Sequence, residues 1–292
     1  MAGSQAKSRF LQKAIGYSLT GDTREQCLFM LYGTGANGKS TFLETMRAVL
    51  GDYATQADFS TFLLRKDDGP RNDIARLHGV RFVSSIEVES GRRLAEALVK
   101  QMTGQDALTA RFLFAEFFEF KPQFKLFLAC NHRPRIRGTD HALWRRIRLV
   151  PFTVTIPENE QDRDLPDRLR EELPGILAWA VRGCLAWQRE GLDAPEEVRQ
   201  ATVDYRAEQD IIGRFLQTCC VQGAALRASA KDLYAAFCDW CAEEGEKQSS
   251  QTDFGVSLRE RGFVRTRPGG GKPTLWQGLG LIDDAREPGA KR

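Results

Sequence analysis

Two hydrophobic periods alternate along this chain, and they divide it into helices and strands. Residues 8–24 place Phe10, Leu11, Ala14, Ile15 and Leu19 on roughly one helical face that Gly21 closes. Cys27 to Tyr32 is an unbroken apolar run, the mark of a strand buried on both faces. A glycine-rich stretch, Gly33 to Gly38, follows, and an amphipathic helix then runs to Leu50 with Gly51 as its stop. Residues 58–64 read as a short helix and the polar residues 66–73 as a loop.

Gly79 to Ile86 is a second apolar strand and Phe124 to Cys130 a third, apolar enough to be central. Between them, Ser90 is placed to cap a helix over Gly91 to Met102, with Leu94, Leu98 and Met102 inward. Ala107 to Phe120 alternates and is rich in aromatic rings, which predicts a β-hairpin with its tip near Leu113 to Glu116. Arg148 to Val154 closes this part as a strand, with Pro151 suited to an edge. The pattern then turns helical from Leu165 to Glu190, with a restart at Pro174-Gly175. Gly191 to Pro195 reads as a boundary, followed by helices over 196–208 and 210–220. Helices over 229–243 and 250–261 come next, the second closed at Gly262, and then a hairpin from Phe263 to Trp276 around the turn PGGGKP. Helix, helix, hairpin is the pattern of a winged helix. Arg259, Arg261, Arg265, Arg267 and Lys272 would line one side of it.

Composition narrows the partners only a little. The net charge of +3 gives no global argument for nucleic acid, so local clustering decides. From Lys121 to Arg148 there are eight basic residues, Lys121, Lys125, Arg133, Arg135, Arg137, Arg145, Arg146 and Arg148, against Asp140 alone. No apolar run approaches a membrane span, and the first residues lack the apolar core of a secretion signal. Seven cysteines without regular spacing suit a reducing interior, and Cys238 and Cys241 read as unligated thiols. A cytoplasmic location, in a bacterial or virus-infected cell, is the expectation.

The chemistry concentrates at Gly33-Thr34-Gly35-Ala36-Asn37-Gly38-Lys39-Ser40-Thr41. Strand, G-x-x-x-x-G-K-[ST], helix is a phosphate-binding loop in its required context. Glycines let backbone N–H groups turn toward phosphate oxygens, and the helix adds the positive end of its dipole. Lys39 is expected to reach the β- and γ-phosphates of ATP, and the Ser40 hydroxyl to ligate Mg²⁺. The second strand delivers Glu87 and Glu89 at its carboxyl end, where metal and attacking water are handled in such enzymes. Asn131, at the end of the third strand, is suited to hold that water or the γ-phosphate. Arg145 and Arg146 stand between apolar anchors, which suits an arginine presented rigidly to another subunit.

Five ordered segments, GTGANGKST, IEVE, LVKQMTGQDALTAR, FKLFLACNHRP and LWRRIRLVPF, together resemble the superfamily 3 helicase core of phage, plasmid and poxvirus primase-helicases. The resemblance spans nearly the whole chain. It implies an α/β fold: a P-loop AAA+ core with a parallel-type central sheet and helices on both faces, then a small C-terminal winged-helix domain. The implied division is 1–24 the end of a helical collar, 25–192 the core, 193–222 connecting helices, 223–283 the winged helix and 284–292 a disordered tail. It implies an ATP-dependent DNA helicase or translocase with ATP and Mg²⁺ at intersubunit sites of a homo-hexameric ring. Expected partners are single-stranded and fork DNA, with a primase or primase-polymerase in cis or in trans.

Residue by residue, the resemblance gives Lys39 and Ser40 (or Thr41) to phosphate and metal. Glu87 and Glu89 take the acidic motif, with their two roles left open. Asn131 takes the sensor position, and Arg146 the arginine finger, with Arg145 as the alternative. Lys100, Arg111, Phe112, Phe114, Lys121 and Arg133, with Arg259, Arg265 and Arg267 of the winged helix, are the candidate DNA contacts. The hairpin tip, FLFAE, is apolar where some relatives carry Lys-His, so base stacking is the expected contact. Two rival readings stay open: an ATP-loaded origin or terminus binder that does not unwind, and a small-molecule kinase on the same loop.

Overall fold

The computed structural model describes residues 2–65, 71–87, 92–136, 141–267 and 273–282, and the chain divides into two units, 1–206 and 207–292. Glu89, Ser90, Arg137, Lys272 and the expected tail at 284–292 lie outside the described residues.

The first unit begins with α1 (Ala2–Ser18), β1 (Leu28–Tyr32), α2 (Lys39–Leu50), β2 (Ala54–Gln56), α3 (Asn72–Ala75) and β3 (Phe82–Ile86). It continues with α4 (Glu96–Met102), the pair β4 (Leu108–Ala110) and β5 (Phe118–Phe120), and β6 (Lys125–Cys130). α5 (His141–Trp144), β7 (Ile147–Pro151), α6 (Leu165–Glu171), α7 (Leu173–Glu190) and α8 (Glu196–Gln209) complete it. Five strands form one parallel sheet in the order β2-β3-β6-β1-β7. The register sets Leu28 of β1 beside Leu126 on one flank and Ile147 on the other. Strand side chains alternate between faces, so Leu28 and Met30 join one core layer while Phe29 and Leu31 join the other. Phe10, Ile15 and Tyr17 of α1, Leu43 and Met46 of α2, and Ala180 and Trp187 of α7 cover the second layer.

α1 is integral to this core. It crosses α7 at two glycines with almost no space between the backbones. A Cβ on Gly16 would lie 2.0 Å from the Cys184 nitrogen, and one on Gly183 would lie 2.0 Å from the Gln12 carbonyl oxygen. Backbone atoms cannot give way as a flexible side chain can. Gly183→Ala should therefore cost at least about 3 kcal/mol. A lowered urea midpoint would show this, and a midpoint within error of the parent would mean that the helices can separate without loss.

Two cations hold the C-terminal end of α1. Arg81 donates to the Leu19 carbonyl at 2.6 Å, and Lys125 Nζ donates to the Thr20 carbonyl at 2.5 Å, with the Tyr17 ring centroid 4.4 Å away. Lys125 is 2% exposed, so the basic stretch from Lys121 to Arg148 is not a single solvated face. Burial pushes the Lys125 amine down to about 7, opposed by nearby Asp22 and aided by Arg81. The unfolded lysine titrates near its ordinary value, about 10.4. Between those limits the unfolded chain binds the extra proton, so stability should rise with pH, by about 1.4 kcal/mol per unit. Lys125→Met should flatten that slope in urea titrations run across the window; an unchanged slope would assign it to another group.

The helix expected over Gly91 to Met102 is confined to α4 among the described residues. Leu94 is instead spent in an antiparallel bridge to Leu63, and Arg93 bridges Arg135. Other expectations hold: Asp58 caps a 3₁₀ turn at Phe59–Phe62, β4 and β5 pair as a hairpin, and Pro174 sits at the start of α7. Gly191 to Pro195 only links α7 to α8 within the first unit.

The second unit contains α9 (Ile211–Cys219), β8 (Cys220–Ser229), α10 (Ala230–Glu243), α11 (Gln251–Glu260), β9 (Val264–Thr266) and β10 (Leu275–Leu281). Its sheet is antiparallel in the order β8-β10-β9. Ser229 and Ser250 cap α10 and α11 with their hydroxyls. Phe215 of α9 is fully buried among Phe237, Trp240 and Phe254, which makes that helix part of this unit's core.

Candidate active site

β1 ends at Tyr32, and the chain turns through Gly33 to Gly38 before α2 starts at Lys39. The turn needs left-handed backbone at Gly35 (φ 116°), Ala36 (φ 45°) and Gly38 (φ 79°), easy for glycine and strained for Ala36. Gly33 admits no side chain, because a Cβ there would lie 2.2 Å from the Phe152 carbonyl oxygen. Asn37 Nδ2 donates to that same oxygen at 3.1 Å, and the Ile156 N–H donates to the Ala36 carbonyl at 2.7 Å. The segment after β7 thus braces the loop from one side.

Lys39 is 5% exposed. Its Nζ donates to the Gly33 carbonyl at 2.6 Å and to Asn37 Oδ1 at 2.8 Å, and burial pushes its pKa down. These are two neutral acceptors for a buried cation, so an anion would be a far stronger partner. Ser40 is exposed and Thr41 half-buried at the start of α2.

Glu87 follows β3 directly, and its own N–H continues the ladder to the Ala129 carbonyl at 2.9 Å. Its side chain is 7% exposed. Oε2 accepts the His132 N–H at 2.9 Å, whereas Oε1 is buried without a hydrogen-bond partner among the described residues. Burial raises its pKa and the His132 N–H opposes that rise. Since β6 lies between β1 and β3, the phosphate loop, Glu87 and Asn131 meet at the carboxyl ends of three adjacent parallel strands. That is where open α/β sheets bind ligands. Asn131 is exposed there. A divalent cation fits this donor set, because hard cations take carboxylate and hydroxyl oxygens and keep several waters. Among the described residues no group of three or more His, Cys, Asp or Glu side chains could hold a metal by itself.

The two arginines beyond the sensor strand separate in space. Arg146 is 8% exposed and donates to the Ala142 carbonyl, inside its own chain. Both residues lie in the turn before β7, and Arg145 is the one at the surface. Arg145 donates to Gln26 Oε1 at 2.9 Å. Of the two candidates for a presented arginine, Arg146 is thus the buried one and Arg145 the exposed one.

The hairpin presents an apolar tip. Phe112 stacks on Phe118 at 5.5 Å, and Arg111 lies 4.8 Å over Phe117. Phe114, at φ 61°, is fully exposed, and Leu113 and Phe117 are 66% and 59% exposed. Lys121 is exposed beyond the hairpin, and Lys100 is half-buried at the end of α4. Arg133 is placed differently from a loop cation: its guanidinium lies between the rings of Tyr32, at 4.8 Å, and Tyr205, at 5.4 Å. In the second unit, Arg259, Arg265 and Arg267 line an open cavity of about 660 Å³ with Phe263 and Thr274. Arg261 does not join them, because it is paired with Asp210. Sequence reasoning missed Asn37 as the partner of Lys39 and the His132 N–H on Glu87. Nothing in the local pattern marks either one.

A family of unknown function matches residues 31–146, and the family described as poxvirus D5 protein-like matches residues 207–269. A candidate helicase of Frog virus 3 is 31% identical over 277 residues, covering 88% of this chain and 28% of that protein. A candidate helicase of Acanthamoeba polyphaga mimivirus is 30% identical over 254 residues, covering 79% of this chain and 26% of that protein. Primase D5 of Fowlpox virus is 25% identical over 151 residues, half of this chain and 19% of that protein. The chain thus spans about a quarter, or less, of the length of these relatives. Among solved structures, the C-terminal region of NrS-1 has the same fold, with a TM-score of 0.55 at 12% identity over 94% of this chain and 75% of that one.

Proposed function

We propose, for a chain that belongs with the primase-helicase type of helicase, that it is an ATP-driven DNA translocase module of a replication protein. The observation that carries this reading is a buried Lys39 on weak acceptors together with a buried Glu87 whose Oε1 has no partner among the described residues, at the carboxyl ends of strands in one parallel sheet. Lys39 and the loop N–H groups bind and orient the triphosphate of ATP. Ser40, with Glu89 as the acid, would hold Mg²⁺, which neutralises charge on the phosphates when bound. Glu87, held by the His132 N–H, takes the proton of the attacking water, and Asn131 orients that water. In the superfamily 3 and AAA+ arrangement, the site is completed by a second subunit of a hexameric ring, and Arg145 is the residue that reaches it.

DNA contact is assigned to the hairpin, where Phe112 and Phe114 stack on bases, with Lys100, Arg111, Lys121 and Arg133 as further contacts. The second unit, read as a winged helix, adds Arg259, Arg265 and Arg267 on the phosphate backbone. Fork DNA and single strands are the substrates, and a primase module in cis or in trans the working partner. No helix among the described residues is long and apolar enough to cross a membrane. The three arginines of the second unit also favour a second reading, an ATP-loaded duplex binder that does not unwind.

ATP hydrolysis measured with and without single-stranded DNA, across protein concentration, tests the proposal. Turnover should rise more than linearly with protein and should increase with DNA. Turnover linear in protein and indifferent to DNA would overturn the translocase in favour of a self-contained enzyme. Specific duplex binding without DNA-stimulated turnover would favour the second reading.

A further inference from the structure

β6 ends at Cys130, and the turn after it carries Asn131, assigned to orient the attacking water, and the His132 N–H, which Glu87 Oε2 accepts at 2.9 Å. The turn leaves the sheet, so its position depends on what grips it. Its far end is stitched to the segment before α4, where the Arg135 N–H donates to the Arg92 carbonyl at 2.9 Å and the Leu94 N–H donates to the Arg135 carbonyl at 3.0 Å. Its middle is gripped from α8. Tyr205 there is fully buried, and its hydroxyl donates to the Pro134 carbonyl.

The Tyr205 ring also lies 5.4 Å from the Arg133 guanidinium, and the Tyr32 ring lies 4.8 Å from it. Tyr32 ends β1, and the next residue, Gly33, gives its carbonyl to Lys39. The stack of Tyr32, Arg133 and Tyr205 therefore joins the root of the phosphate loop to the turn beyond β6. α8 reaches this point because Thr202, one turn before Tyr205, accepts the Leu149 N–H of the edge strand β7 at 3.1 Å. Trp144 packs edge-on against the same ring at 5.1 Å and fixes its orientation.

We infer that Tyr205 is a positioning residue for ATP hydrolysis. It holds the Pro134 carbonyl and one side of Arg133, and so sets where Asn131 and the His132 N–H stand relative to the phosphate loop. The hydroxyl acts on the main chain, and planar peptides pass a displacement on to the residues beside it. The orientation of reacting groups is sensitive to such shifts, since about 1 Å can cost about 10²-fold in rate. Binding of the triphosphate is assigned to Lys39 and the loop N–H groups, so it should be far less sensitive. The inference rests on the hydrolysis reading above and adds to it a residue from an element that carries no motif.

Tyr205→Phe keeps the ring, and with it the contacts to Arg133 and Trp144, and removes only the hydroxyl. At a temperature well below unfolding, kcat should fall about 10- to 100-fold, while KM for ATP and the Kd of a fluorescent ATP analogue stay within about twofold. Ile15→Val trims the other core layer and is the control for stability alone: its unfolding temperature should drop with kcat unchanged. Hydrogen exchange gives a readout that needs no turnover. The His132 amide should exchange about 10-fold faster in Tyr205→Phe, the scale of one buried hydrogen bond, and at the parent rate in Ile15→Val. A Tyr205→Phe protein with the parent's kcat would overturn the inference, as would an equal fall of kcat in Ile15→Val, or a raised KM at unchanged kcat. A parent that neither binds the analogue nor hydrolyses ATP would sink the nucleotide reading itself. Exchange at His132 then decides the rest: faster exchange in Tyr205→Phe keeps Tyr205 as the residue that sets the turn, and an unchanged rate removes it.

Discussion

Lys39→Ala should lose ATP turnover by at least about 10³-fold, the scale set by removing one charge-stabilising donor from such a site. The physical basis is the place of the amine. It is almost fully buried, its pKa is pushed down by that burial, and its hydrogen bonds go to the Gly33 carbonyl and Asn37 Oδ1. A polyphosphate would replace two neutral acceptors with formal negative charge, so much of the binding free energy should pass through this one group. Lys39→Arg should not rescue, because a planar guanidinium does not fit a slot built for a compact ammonium. The check is steady-state phosphate release together with a nucleotide-binding titration. Turnover in the alanine variant equal to the parent's would remove the phosphate loop from the chemistry altogether.

Glu87→Gln should keep nucleotide binding and lower turnover by about 10²- to 10⁴-fold, the range for a positioned acid–base group. The amide still accepts the His132 N–H but no longer takes a proton. The same change predicts a pH effect with a definite sign. Burial raises the Glu87 pKa, so the fold favours the protonated carboxyl. That contribution to stability is present below the ordinary carboxylate range and is lost as pH rises through the raised value. The stability gap should therefore move in favour of the glutamine variant as pH rises through that window. Turnover by the parent should fall as pH drops through the same window, because the working form is ionised. A pH profile with the same shape in both proteins would assign the proton to another group, with Glu89 the first to test.

Local pattern and spacing were enough to find the glycine-rich turn after β1, the strands β1, β3 and β6, the hairpin and the two helices α10 and α11, because each is decided by residues near in sequence. Side-chain surroundings were not legible in the same way. Lys125 sits in a basic stretch yet is buried against Tyr17 and the end of α1, more than a hundred positions away. Arg133 is enclosed by Tyr32 and Tyr205, and Arg261 is turned aside by Asp210. Arg146 was preferred to Arg145 as the presented arginine, and adjacent positions in sequence did not show that Arg146 is buried and Arg145 exposed. Gly16 and Gly183 lie within ordinary helical patterns, and only the crossing of α1 over α7 makes them irreplaceable. In each case the deciding contact is remote in sequence, which periodicity does not encode.

The strand order also dictates how the protein is made. β1 is translated well ahead of its two neighbours, β6 and β7, which emerge only about a hundred residues later. At about 5–20 residues per second, Leu28 to Tyr32 waits for seconds with both edges unpaired. Parallel pairing across such separations is slow, and an exposed apolar edge is prone to aggregate. A nascent chain stalled before Ile147 should therefore recruit chaperones and be cut readily by proteases, whereas one extended past β7 should resist both. Since the phosphate loop hangs from β1, the ability to hold a nucleotide during synthesis would mark the moment when the sheet closes.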